Sequence, residues 1–209
     1  MRQALAAAFA TLPREEVRTI ADAVPHVCRE SVQTVEDEME VTQGKLSMGF
    51  SCGSDDMPAL LLGNTLFGGS SNSKLFLNVR EKLSLCYYAS SMYHRQKGII
   101  TVSSGIEFQN YQRAYDEILS QLAAVQNGEL EEWELAGARS TLLNSYATVG
   151  DSQGKLENFY LGQAATGRSE TPADLAQAVM EVSAERICRA MSTVKLDTVY
   201  FLKGKEAQA

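Results

Sequence analysis

The amino-acid sequence predicts an α+β fold in which helices pack on one face of a largely antiparallel sheet. Three observations favour this class. Residues 45 to 53 alternate apolar and polar side chains with a period of two, as in a half-buried strand. Two strand-like segments are joined by the short turn at residues 96 to 98, and such a hairpin requires antiparallel pairing. The helices come in blocks, which argues against a doubly wound parallel sheet.

The first half of the chain is predicted to contain four helices and four strands. Pro13 opens the second helix, and Asp55 and Asp56 ahead of Pro58 begin the third, which ends at Gly68 and Gly69. A turn at Gln43 and Gly44 separates the first two strands. The other predicted helices are 2–11, 13–24 and 71–83, and the predicted strands are 32–41, 45–53, 87–93 and 99–106.

Longer helices dominate the second half of the chain. Apolar residues form one stripe along the first of them, and Gly128 ends it. No linker, low-complexity segment or internal repeat interrupts the pattern, so a single domain is predicted. The predicted elements are helices at 109–126, 130–148 and 155–166, two helices that begin at Thr171–Pro172 and at Ser183, and a closing strand at 196–202.

Composition excludes several classes of function. The 209 residues carry a net charge of −7, which argues against a protein that binds nucleic acid or an anionic membrane. No apolar run is long enough to span a bilayer. The four cysteines are Cys28, Cys52, Cys86 and Cys188, and their scattered positions predict free thiols in a reducing cytoplasm. We therefore expect a cytoplasmic location.

The sequence contains no recognisable catalytic centre. Its two histidines, His26 and His94, lie far apart, and neither belongs to an H-x-x-E-H or H-E-x-x-H motif, so no zinc site is predicted. No G-x-S-x-G motif is present. The run from Gly68 to Lys74 lacks the glycine that a P-loop places before its lysine. The carboxylates at 129–134 are predicted to form a solvated first turn of a helix.

The segment 66–91 is the most informative part of the chain. Two glycines end one helix, serine and asparagine cap the next, and a break at Ser84 leads into a strand. Arg80 therefore lies near the end of a helix, and Tyr87 at the start of the following strand. A guanidinium and a phenol can both donate hydrogen bonds to a peptide carbonyl. In the alternative interpretation, Arg80 pairs with Glu81 or caps carbonyls, and Tyr87 belongs to the core.

This segment resembles the second domain of the pitrilysin/insulinase family of zinc metallopeptidases, which includes the mitochondrial processing peptidases. The resemblance is carried by Gly-Gly, then Ser and Asn, then Leu-Phe-x-x-Val-Arg-Glu-Lys-x-x-Leu-x-Tyr, and it continues at residues 128–139. It implies a helical lead-in from a preceding domain at 1–30 and a carboxy-terminal, metal-free domain at 31–209. Because the chain opens inside helical sequence, we expect Met1 not to be the native start.

The resemblance also implies a function. In this family, a first domain holds zinc through H-x-x-E-H, and the second supplies an arginine and a tyrosine that hold substrate across a chamber. Those residues match Arg80 and Tyr87, so the expected function is to position peptide substrate without cleaving it. The expected partners are peptide and a zinc-bearing domain or subunit, in a dimer, with zinc held outside this chain. An inert scaffold or interaction subunit of the same fold is the alternative.

Two departures from the family pattern bear on the predicted site. Ser84 stands where the family usually has glycine, and a positive φ would cost serine more than glycine. Cys86 replaces a common alanine. Tyr88 offers a second hydroxyl, which is expected on the opposite face of the strand because side chains alternate there.

Overall fold

A computed structural model describes residues 1–13 and 29–205. The helices are α1 Arg2–Ala10, α2 Met57–Phe67, a π-helix Leu75–Lys82, α3 Tyr111–Gln126, α4 Glu132–Ala147, α5 Gln153–Ala165, α6 Pro172–Met180 and α7 Ala184–Met191. The strands are β1 Gln33–Met39, β2 Gly44–Cys52, β3 Cys86–His94, β4 Ile99–Ile106 and β5 Val194–Gly204. The helix predicted at 13–24 falls almost wholly outside the described residues, as do His26 and Cys28.

The five strands form one sheet with the order β1-β5-β2-β4-β3. Three of the four pairings are antiparallel, and only β1 and β5 run parallel. The predicted α+β class is therefore confirmed. The turn at Gln43 and Gly44 does not join paired strands, however, because β5 lies between β1 and β2. That insertion depends on a pairing between distant segments, which no local pattern reveals.

Helices cover one face of this sheet. Alternate residues of β2 and β4 point into the core beneath them, and the buried members include Leu46, Met48, Phe50, Ile100 and Val102. On the opposite face, the same strands carry small polar residues such as Ser47 and Ser103, which are only partly buried or exposed. The period-two pattern in the sequence therefore corresponds to one apolar face and one open polar face.

Helix α2 is the centre of the helical layer. Asp56 caps it by accepting a hydrogen bond from the Ala59 amide at 3.2 Å, and it also binds Arg186 of α7 through two contacts of 2.9 and 3.0 Å. Gly63 lets α7 approach closely, because a Cβ there would lie 2.5 Å from Met191. Helix α2 is thus fixed in place, and its C-terminal end delivers the segment that leads to the predicted site.

No helix in the described ranges has both the length and the apolar character needed to cross a bilayer. Cys52, Cys86 and Cys188 are free thiols.

Candidate functional site

The Gly68–Gly69 pair lies directly against the edge strand β3. The Ser91 amide donates to the Gly68 carbonyl at 2.8 Å, and the Ser91 hydroxyl donates to the Asn64 amide oxygen at 2.8 Å. A Cβ on Gly68 would meet the Ser91 nitrogen at 2.7 Å, so no larger residue fits without displacement. The two glycines therefore serve close backbone packing, and they fix the start of the next helix relative to β3.

That next helix is shorter than the predicted 71–83 and has π geometry, with the Leu83 amide bonded to the Asn78 carbonyl at 3.1 Å. Apolar periodicity predicts a helix here but does not distinguish π from α geometry. Leu75 and Val79 are fully buried, which anchors one side of the helix in the core. Short π segments are rare and often occur at functional sites.

A buried ion pair holds the first turn of the π-helix. The Lys74 ammonium lies 3.0 and 3.1 Å from the two carboxylate oxygens of Glu134, and both side chains are at most one-tenth exposed. Glu134 also accepts a hydrogen bond from the Glu131 amide at 2.9 Å, at the start of α4. The prediction that the carboxylates at 129–134 are all solvated is therefore wrong for Glu134.

Arg80 lies on the partly exposed side of the π-helix. Its side chain is 40% exposed and its guanidinium lies 4.6 Å from the centroid of the Phe76 ring. The nearest carboxylate, Glu81, is 3.6 Å away and 54% exposed, which makes a weak surface pair. Most of its donors are therefore available to a ligand.

The chain reverses between the π-helix and β3 at Ser84, which has a φ of 49°. This is the left-handed conformation that glycine adopts without steric cost. We predict that Ser84→Gly raises the free energy of unfolding by about 0.5–1 kcal/mol, because relief of the left-handed strain exceeds the entropy cost of the added glycine. Urea denaturation measures the change. Ser90→Gly, at an exposed position within β3, is the control and is expected to lower stability.

A β-bulge at the start of β3 sets the positions of the two tyrosines. Cys86 pairs with Ile106 and Tyr88 pairs with Gly105, which leaves Tyr87 as the extra residue. Tyr87 and Tyr88 are 58% and 40% exposed. The expectation that they occupy opposite faces of the strand assumed unbroken alternation, which the bulge interrupts, and both side chains are exposed.

The two tyrosines have different neighbours. The Tyr87 hydroxyl has one weak contact, a hydrogen bond to Glu107 at 3.5 Å. The Tyr88 ring packs over Gly105, and the Lys45 ammonium lies 5.2 Å from its centroid. The Tyr88 ring is thus held against the sheet, while Tyr87 is free to turn towards a ligand.

Arg80 and Tyr87 line one pocket of about 460 Å³, together with Ser84, Cys86 and Glu107 among others. Arg80 also lines a neighbouring pocket of about 650 Å³ that follows β3 from Tyr88 to His94. We call these the arginine pocket and the strand pocket. Burial raises the pKa of the Cys86 thiol, and the positive charge of Arg80 opposes that shift. The structure therefore brings the two predicted residues to one surface and places both outside the core.

The described residues do not fit a zinc ion. No group of three or more histidine, cysteine, aspartate or glutamate side chains converges within residues 1–13 and 29–205. Within those ranges, His94 is bound through its Nε2 atom to the Thr101 hydroxyl at 3.0 Å. No catalytic step through a metal is assigned to these residues.

A family model described as the Peptidase M16 inactive domain matches residues 2–142. The chain belongs to this family. The match confirms the predicted relationship to zinc metallopeptidases and to their metal-free domain.

Relatives of known sequence and structure agree with the M16 assignment. The chain is 39% identical over 199 residues to "Probable inactive metalloprotease YmfF" of Bacillus subtilis, covering 92% of this chain and 47% of that protein. A conserved protein from Enterococcus faecalis V583 superposes with a TM-score of 0.86 at 27% identity, over all of this chain and 51% of that one. A Helicobacter pylori protease has the same fold, with a TM-score of 0.76 at 16% identity. This M16 chain spans about half the length of these relatives.

Proposed function

We propose that this chain is the substrate-positioning half of a two-part zinc peptidase, in which Arg80 and Tyr87 hold the backbone of a bound peptide. The observation that supports the proposal is their shared pocket. Tyr87 is an exposed residue of the edge strand β3, Arg80 lies beside that strand and is partly exposed, and each has only weak local partners. An extended peptide along β3 would present its carbonyls to these donors.

The zinc ion is proposed to lie in a separate half of the assembly. YmfF is named an inactive metalloprotease over a length about twice that of this chain. By analogy, a zinc-bearing partner subunit is favoured over a zinc site elsewhere in the same polypeptide. The proposed partners are therefore peptide and that subunit, in a dimer. A cytoplasmic location is part of the proposal, because the described cysteines are free thiols.

Within that assembly, the roles of the two residues follow from their chemistry. The Arg80 guanidinium offers up to five hydrogen-bond donors in a planar fork. It is suited to a peptide carbonyl and to the negative charge that develops on it during hydrolysis. The Tyr87 hydroxyl would donate to a neighbouring carbonyl once it leaves Glu107. Binding of peptide thus replaces two weak local contacts.

An inert scaffold is the second candidate function, and the name of YmfF favours it. In that case, Arg80 and Tyr87 serve the local contacts described above, with Glu81 and Phe76 for Arg80 and with Glu107 for Tyr87.

Tyr87→Phe tests the proposal against Tyr88→Phe, which removes a hydroxyl from the adjacent ring. We expect Tyr87→Phe to weaken peptide binding by the assembled protein about fivefold, since one hydrogen bond contributes roughly 1 kcal/mol and 1.4 kcal/mol is tenfold. Tyr88→Phe should leave affinity unchanged. Fluorescence anisotropy with a labelled extended peptide measures both. Equal affinities for wild type and both variants would contradict the role given to Tyr87.

A further inference from the structure

A third pocket, of about 740 Å³, lies at the other end of β3. It is enclosed by the β3–β4 hairpin, the loop before α2 and the segment that follows α5. The side chains that define its chemistry are Asp55, Tyr93, Arg95, Gln96 and Arg168. We call it the hairpin pocket. It belongs neither to the arginine pocket nor to the strand pocket.

The hairpin pocket has unused donors. Arg95 makes no ion pair or hydrogen bond within the described part of the chain. Arg168 pairs with Glu170 at 3.5 Å, but both side chains are partly exposed. The Tyr93 hydroxyl has no hydrogen-bond partner among the described residues, and burial raises its pKa to about 12, so it stays a donor at neutral pH. Asp55 is the one carboxylate in the lining.

The carbonyls at the C-terminus of helix α5 do not explain why two arginines lie in this pocket. A helix C-terminus attracts cations because its last carbonyls lack partners. Here, the amides of Thr166 and Arg168 donate to the Gln163 carbonyl and the amide of Gly167 donates to the Ala164 carbonyl, at 2.9 to 3.3 Å, so the chain itself satisfies these two carbonyls. The two guanidiniums are therefore available to a ligand that enters from solvent.

The three pockets follow one another along β3. The arginine pocket lies at Cys86 and Tyr87, the strand pocket extends from Tyr88 to His94, and the hairpin pocket begins at Tyr93. At roughly 3.3 Å per residue, the chain from Tyr87 to Arg95, the first residue after β3, extends over about 26 Å. An extended peptide of about eight residues covers that length.

We propose that the hairpin pocket binds a carboxylate of the same peptide that Arg80 and Tyr87 hold. Two guanidiniums and a phenolic hydroxyl form a set of donors suited to a carboxylate, which Arg binds through paired hydrogen bonds. The inference rests on the proposed function for the peptide itself, and it adds a preference for an acidic group about eight residues from Tyr87. The carboxylate is either the peptide's C-terminal group or an acidic side chain.

Three labelled octapeptides of otherwise neutral sequence test the proposal. The first has a free C-terminal carboxylate, the second a C-terminal amide, and the third an amide after a final glutamate. We expect the assembled wild-type protein to bind the first at least tenfold more tightly than the second, as charge-assisted hydrogen bonds imply. If the third peptide also binds tightly, the pocket accepts any carboxylate, including that of a side chain. If the third peptide binds weakly, the pocket requires the C-terminal carboxylate.

The variants separate this proposal from the previous one. The double variant Arg95→Gln, Arg168→Gln should bind the carboxylate and amide peptides equally. Arg113→Gln, at an exposed position of α3, should keep the preference for the free carboxylate. Arg80→Ala should weaken all three peptides by the same factor and leave their ratio unchanged. Equal affinity of wild type for the three peptides overturns the carboxylate site. Unchanged affinity together with unchanged kcat in Arg80→Ala overturns the proposed function instead. Arg95→Lys, which keeps the charge, shows that loss of binding does not reflect misfolding.

Discussion

Arg80→Ala is expected to lower kcat of the proposed two-part zinc peptidase by about 100- to 1000-fold, the usual effect of removing one donor to the developing oxyanion. The variant keeps the fold, because Arg80 is 40% exposed and its pair with Glu81 is weak. Loss of that pair and of the contact with Phe76 should reduce stability by less than about 1 kcal/mol. The effect on activity would thus greatly exceed the effect on the fold.

Steady-state kinetics with a fluorogenic peptide measures this effect, and thermal unfolding checks stability. A fall in kcat with little change in KM places the Arg80 contact in the transition state, whereas a rise in KM alone indicates simple peptide holding. Arg113→Ala is the matched control, because this exposed arginine of α3 lines neither the arginine pocket nor the strand pocket. Unchanged kinetics in Arg80→Ala would favour the scaffold function.

The second large effect is expected at a residue that touches no ligand. Glu134→Ala should lower the free energy of unfolding by about 3–5 kcal/mol, because it leaves the buried Lys74 ammonium without a partner. Lys74 immediately precedes the π-helix, so any movement of Lys74 towards water also displaces Arg80. We therefore expect weaker peptide binding as well as lower stability.

Two controls accompany Glu134→Ala in urea denaturation. Glu132→Ala removes an exposed carboxylate from the same first turn of α4 and should change stability by less than about 0.5 kcal/mol. The double variant Lys74→Met, Glu134→Leu removes both charges together and should recover most of the stability, since an apolar pair avoids the desolvation cost. A loss in Glu134→Ala no larger than in Glu132→Ala would contradict the buried-pair argument.

Local sequence signals account for most of the fold. The hairpin turn has a glycine at φ +61°, at Gly98, and β4 spans the predicted 99–106. The caps at Asp56, Thr171 and Ser183 begin α2, α6 and α7 where their side chains predict. Periodicity and capping depend on neighbours within a few residues, so they can be read without knowledge of distant contacts.

The candidate site was only partly predictable. Arg80 and Tyr87 follow from one continuous segment, since a helix and the next strand bring them to the same end of β3. The bulge that exposes Tyr88 beside Tyr87 depends on the register with β4. The hairpin pocket was missed altogether, because Arg95 and Arg168 are far apart in the chain and neither belongs to a motif.

The sequence by itself determined the order of the helices and strands within the described residues, the absence of a recognisable catalytic motif, and the segment that carries Arg80 and Tyr87. Only the tertiary structure decided that β5 separates β1 from β2, that Glu134 is buried against Lys74, and that three pockets follow β3. The physical reason is the separation in sequence between the residues that interact. Helix periods and turns are set by adjacent residues, whereas strand order, the pairing of buried charges and cavities arise from segments that meet only when the chain folds.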